Sequence, residues 1–151
     1  MPRLLIVHHS PSPATAALLQ AVVDGASDDA VVGVERSVRP ALVAAEIEVM
    51  EADGYLLGTP ANIGYMSGAL KHFFDRIFYP CLDATRGRPF GLWVHGNDDT
   101  AGAVRSVQTI TAALGWRPSA ATVSVAGAPS RADLDNCYEL GATLAALLMP
   151  A

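Results

Sequence analysis

The chain has little of several things, and each scarcity removes a class of function. Of its ten basic residues only Lys71 is a lysine, no Lys/Arg cluster forms, and the net charge is −5. Such a surface does not suit the phosphates of nucleic acid or an anionic membrane, so neither is an expected partner. Cys81 and Cys137 stand alone, without a CxxC pair or a histidine at ligand spacing, which argues against a zinc site or a disulfide framework. The longest apolar stretch, GATLAALLM, falls well short of the roughly 18–20 residues that cross a bilayer. No secretory signal pattern precedes the strand-like RLLIV, so a cytoplasmic location is expected. A GxxxxGK[ST] loop is absent, which excludes the usual cradle for nucleotide triphosphates.

What is present is apolar. Of the 151 residues 51% are hydrophobic and 17% charged, which suits one well-filled domain over 1–151. Strands are expected at residues 4–7, 31–38, 55–57, 90–95 and 122–126, most of them continuous apolar runs typical of parallel strands covered on both faces. Ser12-Pro13 reads as N-cap and first position of a helix that carries Leu18, Leu19, Val22 and Val23 and stops at Gly25. A helix after Pro40 would face the core with Val43, Ile47 and Met50. Met66, Leu70, Phe73, Phe74, Ile77 and Phe78 make a long stripe at helical spacing, and Val104, Val107, Ile110 and Leu114 make another, ended by Gly115. Ser130 and Asp133 open a last helix whose inner face is Leu134, Cys137, Gly141, Leu144 and Leu148.

Five strands and five helices in alternation predict a three-layer α/β sandwich: a five-stranded parallel sheet, order 2-1-3-4-5, with helices on both faces. Ligands of such sheets bind beyond the carboxyl ends of the strands, where the order reverses between strands 1 and 3. Three loops therefore matter: residues 8–15, 58–67 and 95–100.

The first loop, HHSPSPAT, crowds Ser10, Ser12 and Thr15 at the start of a helix. Hydroxyls there can complete an anion cradle with the free N–H groups of the first turn, or Ser12 can simply cap the helix. His8 and His9 are adjacent on a strand and point to opposite faces, so they cannot jointly hold one ion. The second loop is mostly uncharged and carries Pro60, Gly64 and Gly68. It suits backbone hydrogen bonds and flat contact rather than proton chemistry, with Tyr65 as the stacking candidate. In the third, HGNDDTAGA, one of Asp98, Asp99 and Thr100 would cap a helix, while Gly96 and Asn97 could close the far side of a ligand. Trp93 lies inside a central strand and reads as core.

Residues 58–76, GTPANIGYMSGALKHFFDR, resemble the GTP-x-x-x-G-x-M-S-G-x-x-K-x-F-x-D motif of flavodoxin-like quinone reductases of the tryptophan-repressor-binding-protein type. They are similar more broadly to NADPH-dependent FMN reductases. The strong match covers residues 51–77, and the order of elements agrees along the whole chain. The resemblance implies a flavodoxin-like fold, FMN as cofactor, NAD(P)H as electron donor, a quinone or second flavin as acceptor, and a homo-oligomer. It further implies that Ser10, Ser12, Ala14 and Thr15 hold the FMN phosphate. Thr59, Pro60, Ala61, Asn62 and Ile63 would line the isoalloxazine ring, with Gly64 and Tyr65 completing that loop and the Ile63 N–H near flavin N5. His95, Gly96 and Asn97 would sit at the pyrimidine side. No side chain is expected to act as acid, base or nucleophile, since flavin carries the chemistry. No metal is expected.

Two alternatives stay open. A flavodoxin-type electron carrier would use the same loops without reacting with NAD(P)H. Pro11 and Pro13 lack an N–H and remove two donors from the first loop, which leaves a flavodoxin-like scaffold without flavin as the other reading. A response-regulator receiver, built on the same fold, is excluded. It needs an acidic pair after strand 1, an Asp ending strand 3 and a Lys ending strand 5, where this chain has His8-His9, Thr59 and Gly127.

Overall fold

A computed structural model, describing all 151 residues, places two largely buried segments side by side: β1 (Arg3–His8) and β3 (Gly54–Asn62). They form the centre of a parallel sheet. β2 (Glu35–Pro40) flanks β1, β5 (Pro89–Gly96) flanks β3, and two short pieces, β6 (Arg117–Pro118) and β7 (Val123–Ala126), share the outer edge of β5. This is the expected order with the last strand in two pieces. A further two-residue strand, β4 (Tyr65–Met66), turns back antiparallel on the end of β3.

The period-two alternation of each strand divides the core. Leu4, Ile6, Leu56, Trp93 and Val125 pack with Leu18, Val22, Cys137, Leu140 and Leu144 of α1 (Pro13–Ala26) and α5 (Arg131–Leu147). On the other face Leu5, Val7, Tyr55, Leu57, Leu92 and Val94 pack against α3 (Gly68–Cys81) and α4 (Ala101–Leu114), through Leu70, Phe73, Phe74, Ile77, Val107 and Leu114. The short helix α2 (Glu46–Glu51) lies on this same face and contributes Val49. Helices thus cover both faces.

Four expectations need correction. The second strand lies at Glu35–Pro40, not 31–38, because Val31 and Val34 bury themselves in the approach to it while the strand itself is a half-exposed, polar edge. The helix after Pro40 begins only at Glu46 and buries Val49, leaving Val43 and Ile47 more than 60% exposed. Its approach is fixed by Arg76, which donates to the carbonyls of Ala41 and Ala44 at 2.7 and 2.6 Å. Gly25 does not end α1, which runs on to Ala26. It is a contact point: a Cβ there would lie 1.9 Å from the Tyr138 carbonyl oxygen, and one on Gly141 would lie 2.0 Å from that of Val22. Finally, residues 58–62 continue β3, so the second loop is largely a β-hairpin.

Candidate functional site

The carboxyl ends of β1, β3 and β5 lie abreast, with His8 opposite Gly58 and Pro60 opposite His95. All three anticipated loops therefore open on one edge of the sheet. The His9 N–H donates to the Gly58 carbonyl at 3.0 Å and ties the first loop to the second. Ala61 meets the third at Gly96, where a Cβ would come within 3.3 Å of the Ala61 methyl.

In the first loop Ser12 caps α1 as the sequence indicates, and Pro13 occupies the first helical position. Ser12 and Thr15 close on one another. The Thr15 N–H donates to Ser12 Oγ at 3.2 Å, the Ser12 N–H donates to Thr15 Oγ1 at 2.9 Å, and the Thr15 hydroxyl donates to the Ser12 carbonyl at 3.0 Å. Thr15 is buried and its bonding capacity is used inside this cap. Ser12 Oγ also lies 2.9 Å from Thr15 Oγ1, so the Ser12 hydroxyl has a partner within the cap as well. The N–H groups of Ser10 and Ala14 take no partner from the protein. Four of the first helical turn's usual donors are thus reduced to a small, identifiable set. Ser10 Oγ lies 2.9 Å from His8 Nδ1. His8 is half-buried, and burial first, then the neighbouring His9, holds its pKa below the ordinary 6.5.

The second loop is built on Thr59. Its hydroxyl, deep in the structure, donates to the Pro60 carbonyl at 2.8 Å and accepts the Ser67 N–H at 2.9 Å. Ser67 in turn caps α3 through the Leu70 N–H. Thr59 and Pro60 are buried, Ala61 is half-buried, and Asn62, Ile63, Gly64 and Tyr65 are exposed. At the tip, Ile63 and Gly64 have φ of 51° and 70°, the pair of positive angles that a two-residue type I′ hairpin requires. Isoleucine in that conformation is a real outlier, because its branched Cβ crowds the backbone. Its side chain is also entirely exposed, so no internal packing holds it there. The tip is braced from behind by α4: the Met66 N–H donates to Ser106 Oγ at 3.1 Å, and Gly102 abuts Gly64.

In the third loop Asp99, of the three capping candidates, takes the Ala101 N–H at 2.8 Å. Gly96 is buried, Asn97 is exposed and His95 is half-buried. His95 Nε2 donates to the Gly127 carbonyl at 2.7 Å, and the Gly127 N–H donates to the Gly96 carbonyl at 2.8 Å. This adds a fourth segment to the edge, which the sequence reading missed. Its one visible signal was Gly127, whose φ of 75° follows directly on the last strand.

Trp93 is core and is fitted against Gly58, where a Cβ would strike its ring at 2.0 Å. Tyr55 stacks on Trp116 at 4.0 Å inside the core, and burial lifts its pKa to about 12. Cys81 and Cys137 are buried, and burial pushes the Cys137 thiol up to about 12, so neither is a nucleophile at neutral pH. Four surface grooves of 210 to 550 Å³ lie elsewhere and contain none of the anticipated residues. The edge itself presents an uncharged hairpin tip between a loop with two unpartnered N–H donors, those of Ser10 and Ala14, and the buried Gly96. That arrangement suits a planar ligand with a phosphate at one end, and the free Ser10 and Ala14 N–H groups match a phosphate despite the two prolines.

Residues 33–130, about two thirds of the chain, match the model of the NADPH-dependent FMN reductase family. The matched span includes the hairpin and the third loop, while the first loop lies outside it. No curated protein matches the sequence significantly. Among solved structures, the chain is similar to a flavodoxin from Streptococcus pneumoniae TIGR4, at 19% identity and a TM-score of 0.81 over 96% of this chain and 99% of that one. A flavodoxin from the domain Archaea superposes equally well, at 17% identity over 97% and 98% of the two chains, with a TM-score of 0.81. A WrbA-like flavodoxin from Agrobacterium tumefaciens gives 0.75 at 16% identity over 98% of each. At these identities the likenesses establish the flavodoxin-like fold. No helix is long and apolar enough to cross a membrane.

Proposed function

The chain belongs to the NADPH-dependent FMN reductase family, and from that footing we propose that it is an FMN-binding oxidoreductase that moves electrons from NAD(P)H to a quinone or flavin acceptor. The observation that carries the reading is the hairpin tip. A β-branched residue held at positive φ, with no packing of its own, marks a backbone shaped for something other than stability.

FMN, when bound, supplies hydride acceptance and onward electron transfer. The protein's own residues have narrower tasks. Ser10, Ser12 and the Ala14 N–H would hold the phosphate, with Thr15 fixing the cap that aims them. Ala61, Asn62, Ile63, Gly64 and Tyr65 would lie along the ring, supported from within by Thr59 and Pro60. His95, Gly96 and Asn97 would bound the pyrimidine side, His95 being held by Gly127. None of these needs to donate or accept a proton in the reaction, so the absence of an acid–base pair at the edge is consistent with the proposal.

A flavodoxin-type electron carrier is the second reading, favoured by the two flavodoxins whose folds superpose on this one at a TM-score of 0.81. Titration of the protein with FMN, followed by flavin fluorescence and absorbance, tests the shared premise. Saturable binding at micromolar or tighter supports it, and its absence up to hundreds of micromolar sinks both readings and leaves a flavin-free scaffold. Steady-state NAD(P)H oxidation by the loaded protein then separates reductase from carrier.

A further inference from the structure

We propose that His8 is a positioning residue for the phosphate end of this site, deciding through its Nδ1 whether the Ser10 hydroxyl can donate to the ligand. The inference rests on the reading of the first loop as the FMN phosphate cradle. His8 Nδ1 and Ser10 Oγ are 2.9 Å apart, and one proton lies between them. When the imidazole is neutral with its proton on Nε2, Ser10 must donate inward, and only its lone pairs face outward. That orientation repels an anion. When Nδ1 carries a proton, His8 donates to Ser10 Oγ and the hydroxyl proton is released toward the loop. The ligand's phosphate therefore selects the His8 state with Nδ1–H. Protonation of the ring supplies that state and adds a positive charge behind the hydroxyl, which turns a neutral hydrogen bond into a charge-assisted one.

The surroundings leave His8 free to respond. Pro40 on β2 and Gly58 on β3 stand abreast of it, and neither carries charge. The first turn of α1 has no acidic residue that would hold the ring cationic without a ligand. The one charge that reaches it is that of His9, which opposes protonation together with burial. Ligand-free, His8 is neutral at physiological pH. A phosphate at the loop works against both effects, so proton uptake and phosphate binding reinforce each other. The direction is fixed: affinity for the phosphate-bearing flavin rises as pH falls toward and below neutrality. Two of the loop's amide donors are missing at Pro11 and Pro13, which makes the hydroxyl of Ser10 a large share of what remains.

Three measurements test this on the intact chain. FMN and riboflavin are titrated at several pH values into the wild type and into His8→Asn, which keeps a hydrogen-bonding group beside Ser10 but cannot titrate. Imidazole ¹⁵N shifts are recorded with and without FMN. The expected results are a wild-type advantage over His8→Asn for FMN that grows about tenfold between roughly pH 8 and pH 6, no such growth for riboflavin, and a move of the His8 signals from the Nε2–H tautomer toward Nδ1–H on binding. Parallel pH profiles of the two proteins for FMN, or the same growth with riboflavin, overturn the role of His8 while the flavin reading stands. Failure of FMN to bind at any pH overturns the flavin reading, and this inference with it.

Discussion

Gly102, in the first turn of α4, and Gly64, at the tip of the hairpin, touch backbone to backbone: a Cβ on Gly102 would sit 2.1 Å from the Gly64 carbonyl oxygen. The contact joins the helix that follows β5 to the turn that follows β3, so α4 braces the hairpin tip from behind. A methyl group at Gly102 must push the tip away, since a backbone oxygen cannot rotate aside. Gly102→Ala is expected to lower stability by about 1–3 kcal/mol through overpacking, against a helix-propensity gain of about 1 kcal/mol. It should also weaken FMN binding, because the tip is displaced. Urea denaturation and a fluorescence titration of the same preparation check both, and unchanged flavin affinity would falsify the bracing role given to α4.

Ile63 carries strain that the protein could shed. Placing asparagine there would give the tip the Asn-Gly pair that type I′ turns favour, and no buried contact would be lost. Ile63→Asn is expected to be more stable by about 1 kcal/mol, the order of the left-handed penalty for an L-residue. Chemical denaturation reads the gain. A loss of stability instead would mean that the isoleucine side chain packs on something this structure does not assign it.

Trp93 and Gly58 predict the opposite kind of result. Gly58→Ala drives a methyl into a fully packed indole and should cost about 3 kcal/mol. Trp93→Phe in the same chain removes the struck atoms, so the double mutant should recover part of the loss. A double-mutant cycle with no coupling between the two positions would refute the contact.

The lowered pKa of His8 also has a consequence for the ligand-free protein. The folded chain binds fewer protons at this site than the unfolded chain does, so stability is present above the ordinary 6.5 and is lost as pH falls through it toward the lower folded value. The melting temperature of wild type relative to His8→Asn should therefore fall between about pH 7.5 and about pH 5.5. An unchanged or rising difference would show that His8 is not buried neutral.

Much of this was legible in the residues, and the exceptions share a physical cause. Ser12-Pro13 and Ser130 with Asp133 announce their helices because capping is a local bond between neighbours. The strand order followed from the alternation of elements together with right-handed crossovers and the chain's length. The hairpin at 62–65 was hidden because Ile-Gly is not a turn signature; the long-range brace of Gly102 and Ser106 imposes it. The face of α2 was misread because Arg76 and Arg88 hold its surroundings by main-chain carbonyls, which no side-chain period records. Gly25 looked like a stop, since a glycine that ends a helix and one that admits a neighbour are the same letter.

That last glycine has a further bearing on when the site comes into being. α1 carries the first loop on its leading end, and its buried side meets α5, more than a hundred residues later, through Gly25 and Gly141. Contacts so far apart in the chain form late and slowly. During synthesis the first loop leaves the ribosome early, yet its supporting helix waits exposed until α5 has followed. On the proposed reading, the phosphate end of the site would be completed only near the close of folding, and a newborn chain without α5 should present an apolar surface to chaperones instead.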